Sequence, residues 1–253
     1  MHFQLDGQIA VVTGASGGIG RAIALALAES GAEVLLHTNR QPEVALSTVQ
    51  SIQKGGGKAS FLTADLSVPE KQDAFVQSVL SMHSNIDHWI NAAGVDLMSD
   101  ANRDLSYEEK LKLLWSVDFL AAVRMSKQIG KRMKQVGKGT ILFFGWDGVD
   151  RGMAGDTAEL YGAVKGAIHG FTKSFAHSLA PEVRVNCISP GWIETTWGKR
   201  ASVSMRERGS NRSLMNRWGN PEDVASAALF LVSNAASYVN GQCLALNGGF
   251  RFY

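Results

Sequence analysis

Short apolar runs alternate with longer segments of helical periodicity along the whole chain. Residues 9–12 form an apolar run that ends at a glycine-rich turn, as is typical of a buried parallel strand. A segment rich in Ala and Leu follows at residues 21–30, and Gly31 ends it. The same order recurs. Further strands are predicted at 34–36, 61–62, 86–91, 140–144, 183–188 and 243–246, and helices at 44–54, 70–82, 107–133, 160–179 and 221–232.

Regular alternation of strands and helices predicts an α/β fold, in which about seven parallel strands form a doubly wound sheet flanked by helices. The sequence shows no internal repeat and no linker, so a single domain over residues 1–253 is expected. One segment, residues 192–220, departs from the rhythm because it is long, polar and weakly periodic. Such segments often form lids, and we interpret this one as a substrate lid.

Composition narrows the function classes. The net charge of the 253 residues is only +2, so neither nucleic acid nor an anionic membrane is expected as a partner. No apolar run approaches the roughly 18 residues of a membrane span, and residues 1–7 lack the features of a signal peptide. Cys187 and Cys243 lie in no CxxC or His-rich cluster. The sequence therefore predicts no metal site and no disulfide, and it fits a reduced, cytoplasmic protein.

A glycine-rich turn joins the first strand to the first helix. It reads Thr-Gly-Ala-Ser-Gly-Gly-Ile-Gly over residues 13–20. Glycines permit a tight turn and let backbone N–H groups approach a pyrophosphate, which the helix N-terminus also attracts. A turn that serves packing alone is the alternative. Its position between strand and helix favours a dinucleotide-binding turn.

Further motifs follow in order along nearly the whole chain. They are the G-xxx-G-x-G spacing, Asn-Ala-Ala-Gly at 91–94, YxxxK at 161–165, the N-x-I-x-PG segment at 186–195, and patterns at 221–225, 241–242 and 247–249. In this order they are highly specific. The chain thereby resembles the classical short-chain dehydrogenase/reductase family, which implies a Rossmann-type sheet of seven parallel strands and a nicotinamide dinucleotide.

The resemblance also implies a set of cofactor-binding residues. Asp65 is expected at the adenine, with a turn or N-cap role as the alternative. Residues 91–94 are expected at the adenine ribose, and Lys165 at the nicotinamide ribose. The full set carried over from the family is Gly14, Ser16, Gly18, Ile19, Gly20, Asp65, Leu66, Asn91, Ala92, Gly94, Tyr161, Lys165, Pro190, Gly191, Ile193 and Thr195.

The end of the second strand bears on the choice of cofactor. NAD sites commonly place a carboxylate there, but residues 36–40 contain none. Arg40 would pair with a ribose 2′-phosphate and Asn39 would hydrogen-bond to it. A solvated surface arginine is the alternative, and Gly17 stands where relatives carry a basic residue. The sequence favours NADP(H), with NAD(H) as the second choice.

Tyr161 and Lys165 are four residues apart, so they share one face of a helix. A nearby ammonium favours the phenolate of a tyrosine. Tyr161 would then donate a proton to a carbonyl oxygen as hydride arrives, or accept one in reverse. The predicted function is hydride transfer between NADP(H) and a carbonyl, hydroxyl or C=N group of a small molecule.

Two positions depart from the family pattern. No serine lies between Thr140 and Tyr161, where the family places one to bind the substrate oxygen. Alignment on the preceding strand puts Trp146 at that position, whereas counting back from the tyrosine gives Gly148. The family's helical Asn corresponds to Asp118, which we count with the catalytic residues.

Three interpretations follow. In the first, Asp147 replaces the serine, as an Asp does in pteridine reductases, and the substrate is a pteridine-like C=N compound. In the second, Trp146 donates its indole N–H to the substrate, in a pocket that Trp192 also lines. In the third, the chain binds its cofactor but catalyses weakly and acts as a binding or regulatory protein.

The lid is strongly basic. Between Trp197 and Trp218 it carries Lys199, Arg200, Arg206, Arg208, Arg212 and Arg217, against Glu207 alone. This charge favours an anionic substrate, with a solvated mobile loop as the alternative. Because the family is mostly dimeric or tetrameric, the apolar helices near 111–125 and 161–175 predict a homotetramer or homodimer.

Overall fold

Seven strands form one parallel sheet in the computed structural model, which describes residues 3–195, 198 and 201–250. The strands are β1 Ile9–Thr13, β2 Glu33–Thr38, β3 Ala59–Thr63, β4 His88–Asn91, β5 Gly139–Phe144, β6 Val183–Pro190 and β7 Cys243–Leu246. Their order in the sheet is β3-β2-β1-β4-β5-β6-β7, and every neighbouring pair is parallel. The predicted doubly wound sheet is confirmed.

Helices cover both faces of the sheet. They are α1 Gly18–Glu29, α2 Pro42–Lys54, α3 Pro69–Met82, α4 Tyr107–Leu114, α5 Ala122–Val136, α6 Asp156–Leu179, α7 Val203–Arg212 and α8 Pro221–Val232. Short 3₁₀ turns lie at Asp147–Asp150 and Asn234–Ala236. Among the described helices, none is long and apolar enough to cross a membrane.

Two predictions about local structure are corrected. The helix expected over 107–133 is divided, because a π-helical segment, Trp115–Ala121, lies between α4 and α5. The segment 192–220 was expected to be irregular, but it contains α7, which Ser202 caps by accepting from the backbone N–H of Met205. A capping serine needs only a local hydrogen bond, so a short polar helix forms without a strong apolar stripe.

The two largest apolar clusters of the described core lie one on each face of the sheet, and a third, smaller one packs beside Tyr161. Ile23 of α1 and Leu231 of α8 pack on one face. On the other face, Trp89 and Phe143 of the sheet meet Phe175 of α6, and these side chains are less than a tenth exposed. The central strands are buried on both sides, which explains why they read as continuous apolar runs.

Successive strands are added to one side of β1 up to β3 and to its other side from β4 onward, so the β1–β4 boundary is a topological switch point. Thr13 and Asn91 are paired at the ends of these strands. The Thr13 hydroxyl donates to the Ile90 carbonyl at 3.3 Å and accepts from the Ala93 N–H at 3.1 Å, which holds the two strand ends together. In open parallel sheets, ligands bind in the crevice at such a switch point, beyond the carboxyl ends of the strands.

Candidate active site

Tyr161 lies half-buried on α6, with its hydroxyl facing the loop that follows β4. The hydroxyl donates a hydrogen bond to the Val95 carbonyl oxygen. Burial, reinforced by the negative charge of Asp118, raises the pKa of Tyr161 well above that of a free tyrosine. The side chain is therefore held as a neutral phenol, which is a proton donor.

Lys165 and Asp118 form a buried ion pair beside the tyrosine. The Lys165 Nζ lies 2.8 Å from Asp118 Oδ1, and their side chains are 11% and 2% exposed. Lys165 also donates to the Phe144 carbonyl at 3.1 Å, at the end of β5. The other Asp118 oxygen accepts from the Val95 N–H at 2.9 Å. The backbone of Val95 thus contacts both Tyr161 and Asp118. Its carbonyl accepts from the Tyr161 hydroxyl, and its N–H donates to the Asp118 carboxylate.

The π-helical segment brings Asp118 to this position. Asp118 lies in the middle of Trp115–Ala121, where the wider turn interrupts α-helical spacing. π-helical turns are rare and often occur at functional sites. Gly94 lies directly against the carboxylate, because a Cβ at Gly94 would be 3.0 Å from Asp118 Oδ1. The predicted residues Tyr161, Lys165, Asp118 and Gly94 are therefore brought together.

Asp147 is engaged elsewhere. Its Oδ2 accepts from Arg151 at 2.7 Å and from the Asn247 side chain at 3.0 Å, and the residue is 8% exposed. The guanidinium of Arg151 also lies over the ring of Phe250, with 3.6 Å between its central carbon and the ring centroid. The same carboxylate ties the loop after β5 to the C-terminal segment after β7. This is a different environment from the substrate-oxygen site expected for Asp147.

Trp146 lies between the end of β5 and the start of α6. Its half-buried ring packs against Gly148, where a Cβ would be 2.4 Å from the ring, and it faces Gly162 on the turn that carries Tyr161. Among the residues that the structure describes, the Trp146 indole N–H has no acceptor. Trp192 lies on the lid side, with its ring centroid 5.0 Å from that of Trp218.

The glycine-rich turn is shaped for close backbone approach. Gly14 has a φ of +67°, and a Cβ there would lie 2.6 Å from the Ala93 Cα. A Cβ at Gly20 would lie 2.4 Å from the Gly14 carbonyl oxygen. The N-terminus of α1 has no side-chain cap and no acidic residue in its first turn. Its N–H groups therefore match the pyrophosphate of a dinucleotide in charge and geometry.

His37 stabilises this turn, and the sequence did not mark it as a site residue. Its Nδ1 accepts from the Gly14 N–H at 3.2 Å, and its Nε2 lies 3.0 Å from the Ala64 carbonyl. Burial lowers the pKa of His37 to about 4. The neutral ring is the form that accepts on one nitrogen and donates on the other. The only sequence signal was a polar residue inside an apolar strand.

The end of β2 carries the residues expected near the ribose. Asn39 and Arg40 are exposed there, and the charge of Arg40 is one of the causes that lower the pKa of Asp65. The largest cause is the Ser67 hydroxyl, which donates to Asp65 Oδ1 at 2.7 Å. The Ser67 N–H also donates to this oxygen at 3.0 Å, so Asp65 makes the turn given as the alternative, and its contact with the adenine stays a prediction. Ser16 accepts from Thr38 at 2.9 Å, joining the glycine-rich turn to β2.

Two predicted cofactor residues have side chains turned into the protein. Asn91 accepts from the Trp89 indole at 2.9 Å and donates to Ser126 at 2.9 Å. Leu66 is 3% exposed and packs in the core. Contact of either residue with a cofactor would therefore be made by its backbone atoms. Strand alternation would have indicated this for Asn91, but no sequence pattern shows it for Leu66.

The segment after β6 lies over the glycine-rich turn. A Cβ at Gly18 would be 3.4 Å from the Thr195 side chain, which places these two predicted residues in contact. The Gly191 N–H donates to the Leu246 carbonyl at 3.0 Å, directly after Pro190. Ile193 is buried and pairs with Gly219 across an isolated bridge. Ile19 and Ala92 are half-buried and pack against the adjoining apolar cluster.

Two of the four described lid cations form ion pairs. Arg206 pairs with Glu194 at 2.6 Å, and Arg217 with Asp223 at 2.7 Å. Arg208 is exposed, and Arg212 lines a small cavity with Asp147 and Trp192. Lys199 and Arg200 lie outside the described residues.

Comparison with known proteins gives matches over nearly the whole chain. The model of a family described as enoyl-(acyl carrier protein) reductase matches residues 14–251. The 3-oxoacyl-[acyl-carrier-protein] reductase of Aquifex aeolicus is 32% identical, over 98% of this chain and 99% of that protein. The Mus musculus dehydrogenase/reductase SDR family member 4 is also 32% identical, over 97% of this chain and 88% of its own.

Solved structures agree with the sequence matches. The crystal structure of a 3-oxoacyl (acyl-carrier-protein) reductase from Agrobacterium tumefaciens, with NADP bound, superimposes with a TM-score of 0.88. The two chains are 29% identical, and the match covers 98% of this chain and 96% of the other. The similarity therefore extends from the glycine-rich turn to the last strand.

Proposed function

This chain belongs to the short-chain dehydrogenase/reductase family of NAD(P)-dependent oxidoreductases, and from that premise we propose that Tyr161 transfers the proton that accompanies hydride transfer to or from a small-molecule carbonyl or alcohol. The observation that carries the proposal is the buried group of Tyr161, Lys165 and Asp118 at the carboxyl ends of β4 and β5. When bound, NADP(H) supplies or accepts the hydride.

The residues around the switch point fit a dinucleotide. The uncapped N-terminus of α1 and the close approach permitted by Gly14 and Gly20 form a cradle for a pyrophosphate. Thr195 closes over Gly18 from the opposite side. Pro190, Gly191 and Ile193 would position the nicotinamide amide, and Lys165 would hold the ribose next to it.

NADP(H) is the proposed cofactor. Asn39 and Arg40 are exposed at the end of β2, and the guanidinium is near enough to Asp65 to lower the pKa of that carboxyl. A ribose 2′-phosphate would give Arg40 a second anion to bind, with a geometry that guanidinium matches well. The Agrobacterium relative has NADP in its structure. The KM for NADPH should be well below that for NADH, and Arg40→Ala should remove most of the difference.

In the reductive direction, Tyr161 is the proton donor. Its pKa is raised chiefly by burial and then by Asp118, so the hydroxyl keeps its proton until negative charge develops on the substrate oxygen. The hydroxyl must leave the Val95 carbonyl to reach that oxygen. Lys165 would lower the cost of the resulting phenolate, although its pairing with Asp118 weakens this effect.

Trp146 is the residue proposed to hold the substrate oxygen in place of the missing serine. Its indole N–H has no acceptor among the described residues, and its ring faces the turn that carries Tyr161. Asp147 is not favoured, because its Oδ2 already accepts hydrogen bonds from Arg151 and Asn247. A pteridine-like C=N substrate depended on Asp147 and is therefore the weaker alternative.

The proposed substrate is a small anionic carbonyl compound or alcohol. Arg212 lines the cavity beside Trp192 and Asp147. We assign residues 192–220 as the lid over this cavity. The lid and the rest of the chain belong to a single domain. Its guanidinium would bind a carboxylate or phosphate remote from the reacting carbon. A substrate panel should show faster turnover of carboxylated ketones than of neutral ones of equal size.

A homotetramer or homodimer is the proposed assembly. Leu111, Trp115 and Leu120 are between 37% and 47% exposed along α4 and the π-helical segment, which suits an interface between copies. Light scattering should give two or four times the monomer mass. The free cysteines suit a reducing, cytoplasmic compartment, which cell fractionation would test.

The experiment that tests the function is the replacement of Tyr161 by Phe. This change removes the phenolic hydroxyl but keeps the ring, which packs against the small apolar cluster that includes Leu160 and Val164. We expect kcat to fall at least about 100-fold, because positioned proton transfer contributes that much or more. Titration of cofactor fluorescence should show unchanged binding. A variant with near-normal kcat would refute the role of Tyr161, and wild type that binds cofactor without turning over any substrate would support a binding protein instead.

A further inference from the structure

A histidine and two cysteines meet on the side of α6 that faces β6 and β7. Cys187 and Cys243 are direct partners in the register of these two strands, so their side chains lie on the same face of the sheet. His169 projects from α6 towards them. One ligand atom from each of the three residues lies within 4.8 Å of the other two. The cysteines are 56 residues apart in the chain, and only the pairing of the last two strands brings them together.

We infer that His169, Cys187 and Cys243 form a zinc-binding site, which nothing in the proposed reaction requires. Two thiolates and one imidazole are a donor set that zinc prefers. In a tetrahedral zinc site with bonds of about 2.3 Å to sulfur, two ligand sulfurs lie about 3.8 Å apart. Small side-chain rotations would bring the three ligand atoms to such a spacing.

The register favours a shared metal over a disulfide. Neighbouring strands are about 4.8 Å apart, so the Cβ atoms of directly paired residues in parallel strands have a similar separation. A disulfide needs Cβ atoms about 3.8 Å apart. A metal between the sulfurs spans the wider gap without moving either strand.

Burial and charge are also compatible with a metal. Cys187 is fully buried and His169 is 7% exposed, whereas Cys243 is half-buried and leaves a path to solvent. Zinc with two thiolates carries no net charge, so burial of the site has a small desolvation penalty once both thiol protons have left to solvent.

Ser189 supplies a neighbouring hydrogen bond of the kind that orients metal ligands. Its hydroxyl lies 2.8 Å from His169 Nε2, which leaves Nδ1 as the nitrogen that would bind zinc, and both residues are buried. Gly145 leaves the space for this pair, since a Cβ there would lie 2.4 Å from His169 Nε2. His169 is one turn beyond Lys165 on the same face of α6, so bound zinc would fasten the helix that carries Tyr161 to the edge of the sheet.

The test uses the full-length protein without a purification tag, kept reduced. Titration with Co²⁺ should produce the absorption band of thiolate-to-cobalt charge transfer, saturating at one equivalent, and Zn²⁺ should displace it. Zn²⁺ should also raise the thermal unfolding midpoint. Cys243→Ser should weaken binding at least about 100-fold, because even partners outside the ligand set are worth 10–100-fold.

His177→Gln is the matched control, since His177 lies exposed on the same helix, and this variant should bind as wild type does. His169→Gln gives a second ligand variant in case a cysteine variant is unstable. A wild-type titration without the charge-transfer band would overturn the inference, as would a band that survives unchanged in Cys243→Ser. Turnover without added metal is measured in parallel, so failure of the zinc site is distinguishable from failure of the proposed reaction.

Discussion

At the scale of single residues, the substitution with the widest consequence is Asp118 in place of the family's asparagine. Its carboxylate is buried against Lys165 and forms an ion pair where a neutral amide would form only a hydrogen bond. The positive charge of Lys165 is thereby balanced by the carboxylate, so it stabilises the phenolate of Tyr161 less. The arrangement favours tyrosine as an acid over tyrosinate as a base, which suits carbonyl reduction better than alcohol oxidation at neutral pH.

Asp118→Asn should therefore improve oxidation at neutral pH. Oxidation needs the Tyr161 phenolate as proton acceptor, so its rate rises with pH up to the pKa of the tyrosine. That pKa is raised by burial and then by Asp118, so removal of the charge should move the rising limb of kcat/KM to lower pH by about one unit or more. Asp73→Asn on α3 is the control, and an unshifted or upward-shifted profile would contradict the role of Asp118.

Trp146→Phe should separate hydrogen bonding from shape. The variant keeps an aromatic ring against Gly148 and Gly162 but lacks the indole N–H. If that N–H binds the substrate oxygen, kcat/KM for the substrate should fall about tenfold while the KM for NADPH is unchanged. An unaltered kcat/KM would show that Trp146 only packs. Trp146→Ser, which restores the family's hydroxyl, should recover activity better than Trp146→Ala.

The sequence predicted some site residues and missed others for physical reasons. Tyr161 and Lys165 were recognisable because helical spacing alone puts them on one face. Val95 could not be found, because it acts through its backbone carbonyl and N–H, which every residue type has. His37 was visible as a residue type, but its bond to the Gly14 N–H depends on how β2 lies beside the glycine-rich turn.

At the scale of elements, the turn from β1 into α1 shows how tightly the cofactor cradle is built. Gly14 and Gly20 are required by neighbours at close range, namely the segment after β4 and the turn itself, and Gly18 leaves room for contact with Thr195. The strands and most helices were predicted because the apolar periods are clear. The π-helical segment was not, because its residue types do not differ from those of an ordinary helix.

Gly20→Ala should weaken both stability and cofactor binding. The new methyl would lie 2.4 Å from the Gly14 carbonyl oxygen, so the turn must shift. Overpacking of this kind costs about 1–3 kcal/mol, measurable by urea denaturation. Gly170→Ala on α6 is the control, since a Cβ there meets nothing within 4 Å, and it should stabilise the protein by about 0.5–1 kcal/mol. Equal effects of the two substitutions would contradict the steric argument.

At the scale of the whole molecule, stability should depend on neutral buried histidines. Burial lowers the pKa values of His37 and His88 to about 4. The unfolded chain binds protons at these groups below pH 6.5, whereas the folded chain does not until about pH 4. Each histidine therefore contributes stability that is present above pH 6.5 and lost as the pH falls through that window.

Between pH 7 and pH 5, the free energy of unfolding should fall by about 2 kcal/mol for each of these histidines. Urea denaturation at several pH values measures the decline. His37→Gln should remove roughly half of it, because only His88 then resists protonation, whereas His177→Gln should leave it intact. A free energy of unfolding that is flat over this range would show that the two rings take up protons as readily in the folded chain as in the unfolded chain.

The π-helical segment has a consequence for which changes the chain tolerates. A π-helical turn accommodates one residue more than the α-helix on either side. Deleting one of the three residues of the segment that precede Asp118 would allow a continuous helix, and each residue of register turns the following side chains by about 100°. Asp118 would then leave Lys165 although its identity was unchanged. The segment should accept many substitutions but no shortening, so its length is as much a part of the active site as its aspartate.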